Sequence, residues 1–252
     1  MRRSQVCLST IDSNAGTLAL TYGLNLEIAE FCTAWNLEEH FPETDAQVRR
    51  TLEGLSAPVL HGPFNELFPC AIDLRARELA RLRYRQAIQA AGWYGANRVV
   101  IHGGFVPHVY HDVWFVEQSV DFWKDFISEV PENMTICLEN VLENRPELLL
   151  DIVRQVNDPR LGLCLDVGHA NVYSGTPVIQ WLEQCASHIR HFHIHNNYGD
   201  ADDHRSLPEG NLPMAELLSR VEDLCPGATC TLELPEAETS ILWLLENRIL
   251  EE

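Results

Sequence analysis

Gly162-Leu163-Cys164-Leu165-Asp166-Val167-Gly168-His169 is a short apolar run that ends on a carboxylate, followed by a glycine and an imidazole. Such a run is too short for a helix, and it reads as a strand buried on both faces. The construction recurs along the chain. Strand-like runs are expected at residues 5–10, 25–29, 58–61, 98–102, 135–139, 162–166, 189–193 and 229–234. Between them, segments 45–55, 75–92, 114–130, 146–156, 178–186, 214–224 and 239–250 carry helical periodicity. In 75–92, Leu79, Leu82, Ala87, Ile88 and Ala91 supply an apolar stripe, while Arg77, Arg81 and Arg85 line another face. Thr44 and Asp45 give a start signal for the first helix, and Pro146 and Pro177 fall near two others. Eight strands alternating with helices make parallel βαβ units, and that number fits a closed (β/α)8 barrel better than an open doubly wound sheet. No glycine-rich nucleotide motif argues otherwise.

The 252 residues are 46% hydrophobic, enough for one large core, and no linker or low-complexity tract divides them. A single domain over 1–252 is therefore expected. The basic start, Met1-Arg2-Arg3-Ser4, leads into a segment too short and polar for a signal-peptide core, and no apolar run is long enough to span a bilayer. The eight cysteines contain no CxxC pair and read as free thiols of a reducing cytoplasm. Formal net charge is −19, and Lys124 is the only lysine. That field disfavours a polyanionic partner such as nucleic acid without excluding it, because bound cations can invert the local potential.

Ionisable residues gather where the strands end. They are His61 after the third strand, His102 after the fourth, Glu139-Asn140 after the fifth, Asp166 and His169 after the sixth, His191, His193 and His195 on the seventh with Asp202 and His204 beyond it, and Glu233 on the eighth. In a barrel all of these ends share one face. A lone histidine after a strand is ordinarily a surface or hydrogen-bonded residue, but six successive strand ends with acids or imidazoles point to a metal site. Imidazoles suit zinc, and mixed carboxylates suit manganese or magnesium. His191, His193 and His195 share one side of a strand, so alternation alone does not say which of them reach a metal. His108 and His111, in the loop after the fourth strand, read as surface or substrate-loop residues, and His40 and His188 as structural or exposed.

These segments resemble the xylose-isomerase-like barrels, which group sugar (phosphate) isomerases and epimerases with endonuclease IV type apurinic-site endonucleases. The resemblance covers nearly the whole chain and is carried by His61-Gly62-Pro63-Phe64, Leu138-Glu139-Asn140, Leu165-Asp166-Val167-Gly168-His169, His193 with Asn196-Asn197, Asp202-Asp203-His204, Ser206-Leu207-Pro208-Glu209-Gly210 and Leu232-Glu233. It implies a divalent ion held by Glu139, Asp166, His193 and Glu233. The endonuclease branch adds ligands for a three-zinc cluster, which match His61, His102, His169, Asp202 and His204. One to three ions per chain are thus implied. Pro208 departs from the pattern, standing where a glycine is expected.

Two chemistries follow from the resemblance. As an isomerase or epimerase of a sugar, sugar phosphate or related keto acid, the chain would stabilise an enediolate on the metal, with Glu139 and Glu233 moving the proton and His169 orienting a substrate oxygen. As a zinc-dependent phosphodiesterase, the same residues would hold a hydroxide-generating cluster. The few basic residues and the acidic Glu66 after Phe64 favour a small carbohydrate-like substrate over DNA. Arg205 is the best-placed cation for an anionic group, with Arg145 second. Phe64 and Trp114, with Trp35 and Phe105, are candidates for an apolar wall against a sugar. Barrels of this type often form homo-oligomers, and no surface for association is legible.

Overall fold

Alternation along each strand sorts side chains to two faces. Leu8, Leu26, Ile101, Leu138 and Phe192 join the large apolar core beneath the helices. Cys7, Val59, Val100, Cys137 and Cys164 form a second, smaller cluster inside the barrel. The computed structural model describes residues 1–251. Its strands are β1 (Val6–Ser9), β2 (Asn25–Ile28), β3 (Val59–His61), β4 (Arg98–His102), β5 (Thr135–Glu139), β6 (Leu161–Asp166), β7 (Ile189–Ile194) and β8 (Thr229–Leu232). They close into one parallel barrel, in which Leu8 of β1 pairs with Leu26 of β2 on one side and with Leu232 of β8 on the other. The eight expected strands are all present, and the protein is a (β/α)8 barrel.

Register sets the level of the strand-end residues. His102 lies opposite Glu139, and Asp166 opposite His193.

The helices are α1 (Ala15–Tyr22), α2 (Ala34–Leu37), α3 (Phe41–Thr51), α4 (Leu74–Tyr94), α5 (Asp112–Phe126), α6 (Glu147–Val156), α7 (Val167–Tyr173), α8 (Val178–Cys185), α9 (Met214–Leu224) and α10 (Glu238–Glu246). Three of them, α1, α2 and α7, lie outside the segments that periodicity marks; they are short and rich in glycine, threonine or asparagine, which are weak helix formers. Thr44 does not begin α3. The helix starts at Phe41 with Pro42 in its first turn, and Thr44 is buried within it.

The stripe on α4 is also different from the expected one. Leu79 and Leu82 are exposed, while Ala80, Tyr84, Ala87, Ile88 and Ala91 face the core. Arg81 packs over Phe122 and Phe126 and pairs with Asp125 and Glu129, so the arginine face is the seam against α5. Long aliphatic stems with charged heads suit such a seam. No helix among the described residues is long and apolar enough to cross a membrane. All eight cysteines are free thiols, and only Cys32 is less than fully buried.

Candidate metal centre

The C-terminal strand ends bring Glu139, Asp166, His193 and Glu233 together, with one ligand atom from each lying within 4.8 Å of the others. His193 Nδ1 stands 3.1 Å from Glu139 Oε1, 3.2 Å from Glu233 Oε2 and 3.8 Å from Asp166 Oδ2. Glu139, Asp166 and His193 are wholly buried. Three carboxylates crowded into a buried site with one imidazole repel one another unless protons or cations intervene. Glu139 Oε2 is buried with no hydrogen-bond partner, as a waiting ligand atom would be. The donor set thus fits a divalent ion.

Four histidines around these acids, His61, His169, His193 and His204, are aimed by a partner on the other nitrogen, the usual outer support of a metal-ligating imidazole. His61 donates Nδ1–H to the Gly62 carbonyl and presents Nε2 to Glu139 at 3.3 Å. His169 donates Nδ1–H to the Asn140 carbonyl and His204 to the Glu233 carbonyl, which leaves both Nε2 atoms facing Asp202, at 3.1 and 3.3 Å. In His193 the roles are reversed: Nε2 faces Glu27 Oε1 at 3.1 Å, and Nδ1 turns to the acids. His61, Glu139 and His193 form another compact group of donors. His102 reaches Glu139 Oε2 at 3.4 Å but joins no compact three-ligand group among the described residues. Phe64 stacks on its ring at 4.3 Å, and burial drives its pKa down to about 4, so the ring is neutral at pH 7.

Charge compensation is strong without an ion. Burial opposes the anionic form of Glu139, but His193 and His102 hold it well below the usual range. Asp166 falls to about 2 against burial, through His169 and His195. Burial works against the charged rings of His169 and His193, but Asp166, Asp202 and Glu139 around the first, and Cys164, Glu233, Glu27 and Glu139 around the second, raise both well above the usual range. Asp166 also caps α7, its side chain accepting from the His169 amide at 2.6 Å.

Two buried residues go beyond the expected set. Glu27 on β2 bonds both His191 and His193, and neighbouring imidazoles keep its carboxylate well below the usual range in spite of burial. The pattern Leu26-Glu27-Ile28 carries its signal, an acid on the interior face between two exterior apolar residues. His195 sits beside Asp166, Nε2 to Oδ1 at 3.1 Å, and gathers with His169, Asp202 and His204. His191 lies deeper, bonded to Thr229, Thr231 and Glu27.

The expected substrate wall is only partly in place. Phe64 borders His61 and His102. Trp114 belongs to the first turn of α5 and donates its indole N–H to the Cys70 carbonyl, so it anchors the β3–α4 loop instead. Phe105 packs on Phe115 in the core, and Trp35 projects into solvent. Arg205 is exposed, paired with Asp203 at 3.0 Å, and lies over Tyr198. It borders a groove of about 540 Å³ that His204, Glu236 and Thr239 also line. Arg145 is paired with Asp112 at 2.6 Å. His40, His108 and His111 are exposed, and His188 half-buried.

A closed parallel barrel with buried acids and imidazoles converging at its strand ends defines the class of strand-end-site barrel proteins. Within that class, residues 22–248 match the family described as xylose isomerase-like TIM barrels, and the chain belongs to it. A Methanocaldococcus jannaschii protein, MJ1311, is 32% identical over 188 residues, covering 69% of this chain and 63% of that one. Fructoselysine 3-epimerase of Escherichia coli O157:H7 is 30% identical over 103 residues, 41% of this chain and 37% of its own. The match thus spans under two thirds of the length of these curated relatives. Among solved structures, the TTHB071 protein of Thermus thermophilus, soaked with zinc chloride, superposes with a TM-score of 0.74 at 26% identity, over 96% of this chain and 97% of that one.

Proposed function

We propose that the protein is a divalent-metal-dependent isomerase or epimerase of a small carbohydrate-like substrate, a sugar, sugar phosphate or related keto acid. The observation that carries this reading is the convergence of Glu139, Asp166, His193 and Glu233 around one buried point. Kinship with a fructoselysine epimerase supports the substrate class. Zinc or manganese fits the donors, with magnesium a third choice. A divalent ion there supplies Lewis acidity toward a substrate carbonyl. Glu139 and Glu233, from β5 and the end of β8, would take up and return the proton on the carbon next to that carbonyl. His169, held between Asn140 and Asp202, positions a substrate oxygen. Phe64 excludes water from one side.

The two cations expected for an anionic tail, Arg205 and Arg145, already pair with carboxylates, which favours an unphosphorylated substrate. Free thiols throughout suit a reducing cytoplasm. One observation favours a phosphodiesterase instead: His61 and His102 both face Glu139 Oε2, the arrangement that a bridging carboxylate between two ions would use. The deciding experiment incubates metal-loaded protein with ketoses in deuterated water. Exchange of the α-proton, lost in Glu139→Gln, is the expected result. Nicking of abasic duplex DNA that vanishes in the same variant, with no exchange on any ketose, would overturn the isomerase reading.

A further inference from the structure

The loop that leaves β7 and the turn that leaves β8 enclose the groove of about 540 Å³ beside the metal centre, the first contributing Pro208 and Glu209 to it and the second Pro235 and Glu236. His204 lines it too; its Nδ1 bonds the Glu233 carbonyl at 2.8 Å and stands 3.9 Å from Glu233 Oε2. The groove therefore begins one side chain away from a carboxylate assigned to proton movement. Its volume lies within the ~300–1,000 Å³ of ordinary ligand sites.

Its lining is built before any ligand arrives. Asn196 and Arg205 exchange both backbone hydrogen bonds, at 3.0 and 2.9 Å, and the Leu207 amide donates to Ser240 Oγ at 3.0 Å, which ties the loop to α10. Ser206 and Glu209 close a turn through a backbone bond of 2.9 Å and a side-chain bond of 3.0 Å. Pro208, which stands where the family resemblance leads one to expect glycine, and Pro235 restrict the backbone of the two segments further. A preformed lining avoids part of the ordering cost of binding.

The polar groups decide what fits. Asp203 neutralises Arg205 at 3.0 Å, whereas Glu209 and Glu236 make no ion pair among the described residues. An ionised carboxylate only accepts hydrogen bonds, so these two acids call for a ligand that brings donors, and they repel a phosphate or a carboxylate. Arg205 and the Thr239 hydroxyl offer donors in return. Hydroxyl groups donate and accept, which matches this mixture, while an ammonium group only donates. The two proline rings give apolar surface for the C–H face of a sugar ring.

We propose that this groove is a subsite for a second, uncharged sugar ring, so that the substrate is a glycosylated ketose instead of a free monosaccharide or its phosphate. This inference rests on the reading of Glu139 and Glu233 as the groups that move the substrate proton. The second ring touches the protein away from the reacting carbon and therefore acts chiefly on KM.

The test follows α-proton exchange in deuterated water, with metal-loaded protein and four ketoses: fructose, fructose 6-phosphate, isomaltulose and maltulose. The last two carry a glucose ring at different positions of fructose. The better of these disaccharides should exceed fructose ~10-fold or more in kcat/KM, mostly through a lower KM, as one or two net hydrogen bonds would give. The phosphate should fall below fructose. Glu209 and Glu236 are both exposed, so the double variant Glu209→Ala with Glu236→Ala should fold, and in it the ratio of disaccharide to fructose should approach one. Disaccharides no better than fructose, a preference for the phosphate, or a disaccharide preference that survives the double substitution overturns the subsite and spares the isomerase reading. Exchange with none of the four ketoses overturns both.

Discussion

His193 faces Glu27 Oε1 with its Nε2, 3.1 Å away, and thereby turns its Nδ1 toward Glu139, Glu233 and Asp166. Glu27 sits on β2, on the other side of the barrel interior from β7, and fixes both the tautomer and the ring plane of the one imidazole in this centre. Glu27→Gln keeps the size and loses the anion that favours this tautomer. Metal affinity, measured by competition with a chromogenic chelator, should fall ~10- to 100-fold, the usual cost of removing such an outer partner. Unchanged affinity would mean that the ring is positioned by packing alone.

Glu139→Gln and Glu233→Gln remove the two groups assigned to proton movement. Solvent deuterium incorporation should drop by ~10²- to 10⁴-fold in each, the range for loss of a general base. If one variant still incorporates deuterium at carbon yet forms no epimer, that residue returns the proton and the other abstracts it. Both losing exchange only in proportion to metal content would show that they act as ligands alone.

The barrel itself is legible because each strand is a short apolar run and each end carries a residue type that cores do not tolerate without reason. His61, Glu139, Asp166, His193 and Glu233 stand at strand ends, so the topology brings them together. Glu27 escapes such a reading because it lies inside β2, not after it; its one signal is local, an acid flanked by Leu26 and Ile28 in a strand-like run, and a strand-end search passes over it. His195 is ambiguous for a different reason: a period of two puts it on the same side as His191 and His193 but does not give its depth. The turn of Trp114 is not legible because a place at a helix start says nothing of which way an indole points, and the Cys70 carbonyl that holds it is distant in sequence.

Metal uptake should depend on pH. Without an ion, carboxylates raise His169 and His193 well above the usual histidine range, and His204 to about 9, although burial opposes all three shifts. At pH 7 these rings carry protons that a metal must displace, so calorimetry in buffers of different ionisation heat should show proton release on binding, with affinity rising toward pH 9. The sign for stability of the metal-free protein is opposite. The charged His204 contributes fully below its unfolded value near 6.5, and that contribution is lost as pH rises through about 9. Asp166 contributes above 3.8, and its contribution is lost as pH falls through about 2. Metal-free protein should therefore unfold more readily at alkaline pH than at neutral pH, and added zinc should remove the difference.

Gly168→Ala places a methyl group where the His195 ring lies. Overpacking of this kind costs ~1–3 kcal/mol, and here the clash is with a ring rather than a flexible chain end, so the upper part of that range or beyond is expected in urea unfolding. A midpoint equal to that of wild type would show that the ring has another resting place.

The small cluster of Cys7, Val59, Val100, Cys137 and Cys164 fills the barrel below the acids. It acts as a stopper for the barrel axis, so the loop-bearing end is the side from which a small molecule would approach Glu139 and Glu233.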